Sequence, residues 1–470
     1  MTIDVLPDES LLDIFDLYRG LTRFFLESMW WTTLAHVCRR WRAIVLASPQ
    51  RLHLRVLCGP RTPVKTSLDI WPPFPIAVHG NHPHTTDEEG ENNLVAALEH
   101  RDRISDIHIF DPDGSSMERL VVAMQEPLPA LTDIYLCTVH NDSLVLPDAF
   151  LGGYAPRLRR FTLLRVSFPA FPKFVLHATH IVFLSLYEIP DSWYTSVSPE
   201  AIATCLAALP DLETLFINFR SPPSSPLQTT PPPRRRSVLP TLKAFRFKGV
   251  SEYLEGVISR IDTPHLDKLR IEFFMDLIFD IPQLHGFIGR ATRLRPLNPA
   301  QLQFSGDAIR IFLGSSPSRH VLGIMCEEPD WQLSSVTQVC NEHFSLLSQV
   351  EQLDIRETPS MVLAGKNEVD SSQWLELFRP FSAVRSLYVS ETLEPLVAAA
   401  LGELTGERTM EVLPALGNLS LDKPEPSGSA RDAVESFIAA RQVLDRPIVV
   451  LRRKSQSLPE TESASSSEDE

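Results

Sequence analysis

One spacing of apolar positions recurs along most of the chain: an apolar residue, two others, an apolar residue, one other, an apolar residue. It is met at Ile104-Ile107-Ile109, Leu131-Ile134-Leu136, Leu158-Phe161-Leu163, Ile181-Leu184-Leu186, Leu212-Leu215-Ile217, Leu242-Phe245-Phe247 and Leu266-Leu269-Ile271. It returns at Val321-Ile324-Cys326, Val350-Leu353-Ile355, Val384-Leu387-Val389 and Leu416-Leu419-Leu421. Successive copies begin 27, 27, 23, 31, 30, 24, 55, 29, 34 and 32 residues apart, and 55 is close to two units. Side chains alternate along a strand, so the second and third apolar residues of each copy share the inward face. One such triplet means nothing, but eleven at a period near 29 predict a stack of repeats, each a strand and a return. The same punctuation precedes several copies: Leu128-Pro129-Ala130, Ala155-Pro156-Arg157, Leu209-Pro210-Asp211, Leu239-Pro240-Thr241, Thr263-Pro264-His265 and Leu413-Pro414-Ala415.

Between the strands, residues 92–101, 198–208, 251–261 and 392–404 fit helices, each opening near Ser, Asn or Thr. In the 55-residue step, Gln301–Phe304 and Ala308–Leu313 flank Ser305-Gly306-Asp307, which predicts a β-hairpin at about 300–313. The hairpin would interrupt the repeat or close its first half. Residues 51–58 and a run ending at Val78 read as connecting strands, followed by a polar loop, over 51–93. The Pro/Ser-rich segment 221–237 reads as an exposed loop, and residues 451–470 as a disordered acidic tail.

The N-terminal 50 residues follow another rule. Leu6-Pro7 leads into Leu11, Leu12, Ile14 and Phe15, with Asp8 and Glu9 where the positive end of a helix dipole favours acid. Trp30, Leu34, Val37, Cys38, Trp41 and Val45 then repeat at three and four, which predicts a second helix stopped by Ser48-Pro49.

Leu6-Pro7, Leu11-Leu12-x-Ile14-Phe15 and Val37-Cys38-Arg39-Arg40-Trp41 together resemble an F-box, a match over about a tenth of the chain. The segment from Asp16 to Ser28 is longer than in compact F-boxes. The recurring triplets resemble irregular leucine-rich repeats, although the Asn of tight repeats is mostly absent. WLELFRPFSAVRSLYVS (374–390), ERTMEVLPALGNLSL (407–421), FIAARQVLDRPIVV (437–450), the hairpin stretch and DWQLSSVTQVC (330–340) are similar to a large, expanded fungal family of F-box proteins. These resemblances imply an α/β solenoid, irregular and leucine-rich-repeat-like over 94–450, preceded by a small all-α F-box at 1–50. They imply docking to the adaptor of a cullin–RING ubiquitin ligase through Leu6, Pro7, Leu11, Leu12, Ile14, Phe15, Leu34, Val37, Cys38 and Trp41. They imply capture of a target protein by the rest of the chain.

Composition narrows the classes. Thirty-nine prolines against 19 glycines, in 470 residues, argue against long helices through most of the chain. A formal charge of −15 argues against general nucleic-acid binding, although five acidic charges in the last eleven residues exaggerate the acidity of the body. Six scattered cysteines, none in a C-x-x-C pair, fit a reducing interior, cytoplasm and/or nucleus. An acidic start without a basic n-region and the lack of a long apolar run predict no signal peptide and no membrane span. No phosphate loop, G-x-S-x-G or H-E-x-x-H is present, so no catalytic centre and no cofactor are expected. His79, His82 and His84, with Asp87, Glu88 and Glu89, lie close in sequence, but Pro83 in a polar loop works against convergence, and they read as solvated rather than metal-binding.

Alternation also fixes which residues look outward. If the strands at Leu242 and Leu266 pair in register, Arg246, Lys248, Lys268 and Arg270 form one basic cluster, partly offset by Glu272. Such a cluster suits an acidic or phosphorylated target segment; a solvated charged face is the plain alternative. The whole chain reads as a non-enzymatic substrate receptor. Its rival is a repeat scaffold whose N-terminal helices merely cap the stack, in which case Leu11, Phe15 and Trp41 would be wholly buried.

Overall fold

Ten of the eleven recurring triplets lead into a strand. The computed structural model describes residues 6–21, 30–48, 54–59, 64–71, 73–81, 88–111, 115–138, 144–227, 231, 233, 235–274, 281–294, 298–315, 320–325, 329–343, 345–358, 371–422 and 428–452. Two compact units contain them: Met1–Leu227 with Leu239–Leu242, and Gln228–Val238 with Lys243–Glu470.

The first unit opens with helices α1 (Asp8–Leu21), α2 (Trp30–Val37) and α3 (Arg39–Ala47). Strands β1 (Leu54–Leu57), β2 (Ile76–Asn81), β3 (Ile104–Asp111), β4 (Asp133–Thr138), β5 (Arg160–Leu164), β6 (Phe183–Ile189) and β7 (Thr214–Phe219) follow, each parallel to the next in chain order. Between them lie α4 (Val64–Ile70), α5 (Glu88–Leu98), α6 (Ser115–Ala123), α7 (Phe171–Val175), α8 (Ser192–Ser196) and α9 (Pro199–Ala207). Sequence order and parallel pairing are what repeated strand-and-return units produce. The sheet begins before the repeat pattern does: Leu54 pairs with Ile76, and Val78 with Ile107. Residues 51–93 therefore contribute sheet strands as well as connections, and β2 runs three residues past Val78.

The prolines have a local reason. In Leu128-Pro129-Ala130-Leu131 the Leu131 N–H donates to the Leu128 carbonyl at 3.1 Å, a four-residue turn with Pro at its second place. The same bond closes 155–158 at 3.2 Å, 209–212 at 3.3 Å, 263–266 at 3.3 Å and 413–416 at 3.0 Å. Each turn delivers the first apolar residue of a triplet to the core just before its strand begins. Leu131, Ile134 and Leu136, like Leu158, Phe161 and Leu163, are buried. Beneath β5 the core is aromatic: Phe150, Phe161, Phe168, Phe171 and Phe174 are buried, with packed ring pairs between 5.5 and 6.4 Å apart.

The second unit has the short parallel pair β8 (Ser237–Val238) and β10 (Ile261–Asp262), and a sheet of β9 (Ala244–Gly249), β11 (Lys268–Phe274), β12 (Ala300–Phe304), β13 (Ala308–Leu313), β14 (His320–Met325), β15 (Gln352–Glu357), β16 (Ser386–Val389), β17 (Asn418–Leu421) and β18 (Val449–Arg452). Its helices are α10 (Ser251–Ile258), α11 (Pro282–Arg290), α12 (Pro329–His343), α13 (Ser371–Phe378), α14 (Glu394–Gly402) and α15 (Gly428–Val443). The order across its sheet is β9-β11-β14-β13-β12-β15-β16-β17-β18. The hairpin interrupts the run of parallel repeat strands without ending the sheet. Its strands pair antiparallel with each other, while β13 takes β14 as an antiparallel neighbour and β12 takes β15 as a parallel one. Two extra strands thus fill the 55-residue step.

One repeat is framed differently from the spacing. In β14 His320, Leu322 and Ile324 are buried, and Val321 pairs with the outward Arg270. Hydrogen bonds to β11 and β13 fix the alternation there, so Val321-Ile324-Cys326 is not the repeat triplet; Cys326 lies outside the described residues. Of the Pro/Ser-rich segment, Ser237 lies in β8 rather than in a loop, while 228–230, 232 and 234 lie outside the described residues, as do 453–470 of the tail.

Candidate functional site

Helix α1 starts where the sequence places it. The Leu11 N–H donates to the Pro7 carbonyl at 3.1 Å, and Asp8 and Glu9 occupy the first turn. Leu11 and Phe15, four apart, are buried. The predicted second helix is two helices. Cys38 has extended backbone (φ −158°, ψ 171°), and its Sγ accepts the Trp41 N–H at 3.4 Å, so it caps α3 instead of continuing α2. The break rotates Val37 off the shared face, and Val37 is 56% exposed.

Phe15 and the half-buried Trp41 pack with ring centroids 4.9 Å apart and planes at 59°. Arg40 fastens α3 to the start of α1: its Nη2 donates to Asp8 Oδ1 at 2.6 Å and to the Leu6 carbonyl at 2.5 Å. Arg42 Nε donates to the Ala35 carbonyl at 2.9 Å. Leu34, Ala35, Ile44 and Val45 complete the interior of this small module.

The ten predicted docking residues therefore divide. Leu11, Phe15 and Leu34 are interior; Leu6, Leu12, Cys38 and Trp41 are half-buried; Pro7, Ile14 and Val37 face water. The sequence reading missed Leu17, 70% exposed and one turn beyond Ile14, which is 39% exposed. The spacing of three between them was visible in the sequence. It also missed Arg40, whose partners are set by tertiary contact. The side chain of Trp30 lies outside the described residues.

The basic cluster is assembled by strand pairing. Arg246 lies opposite Arg270, Lys248 opposite Glu272, and Lys268 opposite Ala244. Arg270 donates to Glu272 Oε1 from Nε at 3.0 Å and Nη2 at 2.5 Å. Arg310 of the hairpin reaches the same oxygen at 3.8 Å across Gly323, which pairs with both Glu272 and Arg310. A Cβ on Gly323 would come within 3.2 Å of Glu272 Cγ and 3.4 Å of Arg310 Cγ, so glycine leaves room for these two to approach. Arg310 escaped the sequence reading because the hairpin lies outside the repeat period. Further along the same face Arg356 bonds Asp354 at 2.9 Å and lies 4.8 Å above the Tyr388 ring. Tyr388 donates to Asp422, and burial together with that bond pushes its phenol up to about 12.

The first unit's outer face differs. His79 stacks on His108 at 4.8 Å, and His108 on Tyr135 at 5.8 Å. Beside them Asp106 pairs with Asp133 on the next strand. Arg160 bonds Asp133 at 3.2 Å and lies 5.0 Å from the Phe183 ring, at a shallow cavity of about 410 Å³. Burial raises the Asp133 carboxyl to about 6, against Arg160 and with help from Asp106. Burial lowers His108, against the pull of Asp106. His79 thus serves a stacked ladder; His82, His84 and Asp87 lie outside the described residues. Among the described residues no group of three His, Cys, Asp or Glu is arranged to hold a metal ion, and no helix is long and apolar enough to cross a membrane.

Comparison with known proteins accords with the N-terminal module. Residues 3–54 match the F-box-like family. No curated protein matches the chain. Among solved structures, a leucine-rich repeat-containing protein, LegL7 from Legionella pneumophila, is similar at 10% identity over 82% of this chain and 97% of that one, with a TM-score of 0.27. An F-box-like module followed by strand-and-helix repeats describes the chain.

Proposed function

We propose that this chain is the substrate-recognition subunit of an SCF-type cullin–RING ubiquitin ligase. Its F-box-like module docks on the adaptor and through it the cullin scaffold. The outward strand residues take the target, an acidic or phosphorylated protein segment bound by Arg246, Lys248, Lys268 and Arg270. Ubiquitin transfer belongs to other subunits, and the protein works inside the cell, in cytoplasm and/or nucleus. The resemblance of the stretches at 330–340, 374–390, 407–421 and 437–450 to expanded fungal F-box proteins supports this reading.

One observation carries the docking reading. The helical module closes its own interior with Leu11, Phe15, Leu34, Ile44 and Val45, yet leaves Ile14, Leu17 and Val37 in water. A cap would have buried Leu11, Phe15 and Trp41 alike; Leu11 and Phe15 are buried but Trp41 is only half-buried, and Ile14 and Leu17, one turn apart on α1 and exposed, favour a protein-binding face.

The test is co-purification of the full chain with the ligase adaptor, using Leu17→Asp/Val37→Asp. These side chains are exposed, so the variant keeps its circular-dichroism spectrum and melting point while capture falls at least tenfold. Undiminished capture would show that this face is not the docking face. A folded wild type that captures no adaptor would return the chain to the repeat-scaffold reading.

A further inference from the structure

The outer face of the second unit is more cationic than its sequence shows. Followed across the paired strands, Lys248, Glu272, Gly323, Arg310, Gln303 and Arg356 form one row. Arg246, Arg270, Val321, Phe312, Gln301 and Asp354 form the row beside it. Arg246, Lys248, Arg270, Arg310 and Arg356 outnumber Glu272 and Asp354, and Lys268 lies just beyond.

The route of the chain bears on what covers these rows. The row of Arg270 continues from Asp354 through Tyr388 and Ser420 to Leu451 on β18, the last strand of this sheet. The described chain ends one residue later, at Arg452. From β18 to β11 is seven strand steps, about 34 Å at ~4.8 Å each. Residues 453–468 can extend over roughly 50 Å. The segment 460–470 contains Glu460, Glu462, Glu468, Asp469 and Glu470 and no base.

We propose that the acidic segment 460–470 docks on the cationic rows of its own chain, its carboxylates against Arg246, Lys248, Lys268, Arg270 and Arg310. Each exposed ion pair is worth little alone, and salt weakens it. The covalent link compensates, since a segment joined to the same chain acts at an effective concentration near millimolar. Glu272 already occupies Arg270 and Arg310, so the tail is held loosely and exchanges. The consequence rests on the target-binding reading above: an incoming acidic segment must displace the tail. A phosphorylated one is favoured, because arginine grips phosphate with two parallel hydrogen bonds.

Carbodiimide coupling of the full-length protein tests this, since it joins a carboxylate to a lysine amine only where the two touch, the carbodiimide taking up the water released. Peptide mapping of the monomer band is expected to find the tail acids linked to Lys248 and Lys268 at several times the yield at Lys65 or Lys173. That yield falls severalfold in about 0.5 M salt and in Arg270→Gln/Arg310→Gln. Tail acids coupled evenly to all lysines, coupled to none, or coupled only in a dimer band would each overturn the proposal. Adaptor capture by the same preparation is scored separately. A chain that captures the adaptor but shows no tail coupling sinks this inference alone, and the reverse result sinks only the docking reading.

Discussion

Asp133 offers a quantitative test of the outer face. It sits on β4 between Asp106 of β3 and Arg160 of β5, with His108 Nε2 at 3.9 Å. Only 20% of its side chain meets solvent. Burial is the largest influence, Arg160 opposes it, Asp106 adds to it, and the carboxyl rises from 3.8 to about 6. About two units at ~1.4 kcal/mol each means that keeping Asp133 ionised costs the folded state roughly 3 kcal/mol. The folded protein holds the proton more tightly than the unfolded chain. This residue's contribution to stability therefore rises as pH falls from about 6 to about 4, and at higher pH only the penalty remains. Asp133→Asn keeps the shape and removes the charge. At pH 8 the variant should be more stable by up to about 3 kcal/mol, roughly 6 to 12 °C in the midpoint for a unit of this size. That advantage should shrink steadily below pH 6 and be gone near pH 4. The assay is urea or thermal unfolding of both proteins across that range, read as their difference so that other carboxylates cancel. A variant less stable at pH 8 would show that the Arg160 pair outweighs desolvation, and a flat difference curve would show that Asp133 titrates normally.

Two further outcomes bear on the packing of the returns. Arg441 is fully buried, with Nη2 on the Leu413 carbonyl at 2.5 Å and Nη1 on the Pro414 carbonyl at 3.3 Å. Arg441→Ala should destabilise the second unit by about 2–4 kcal/mol in urea unfolding, and Arg441→Met, which keeps the volume without the donors, by less. Gly152 has φ +65°, and an added Cβ would meet Pro127 Cγ at 2.6 Å and its backbone nitrogen at 3.0 Å. Gly152→Ala should cost about 1–3 kcal/mol, seen as a lower unfolding midpoint of the first unit.

Periodicity made the strands legible because a buried strand must present apolar residues at alternate positions whatever surrounds it. Ten of the eleven triplets lie in the frame the spacing gave, and the Pro-containing turns close just before the strands because Pro favours the second place of such a turn. Helices were placed within a few residues: the expected 251–261 is Ser251–Ile258 and the expected 198–208 is Pro199–Ala207. The failures lie where a distant partner sets the geometry. The frame of β14 follows its hydrogen bonds to the hairpin. Trp30 to Val45 reads as one amphipathic helix, and only the capping bond from Trp41 N–H to Cys38 Sγ shows that it is two.

Residue pattern alone was enough to tell that the chain would stack strand-and-return units behind a small helical module, and which side of most strands would be wet. Those are local consequences of alternation, turn chemistry and helical spacing, and they need no knowledge of partners. Long-range pairing chose what meets across strands and helices. It set Arg310 beside Glu272 over Gly323, stacked His79 on His108, and buried Phe15 under Trp41 while leaving Leu17 and Val37 outside. Neighbours in a parallel sheet lie some thirty residues apart in the chain, and their register is fixed by the packing of every return between them. No local pattern carries that information, so the composition of each candidate surface could be read only once the strands were paired.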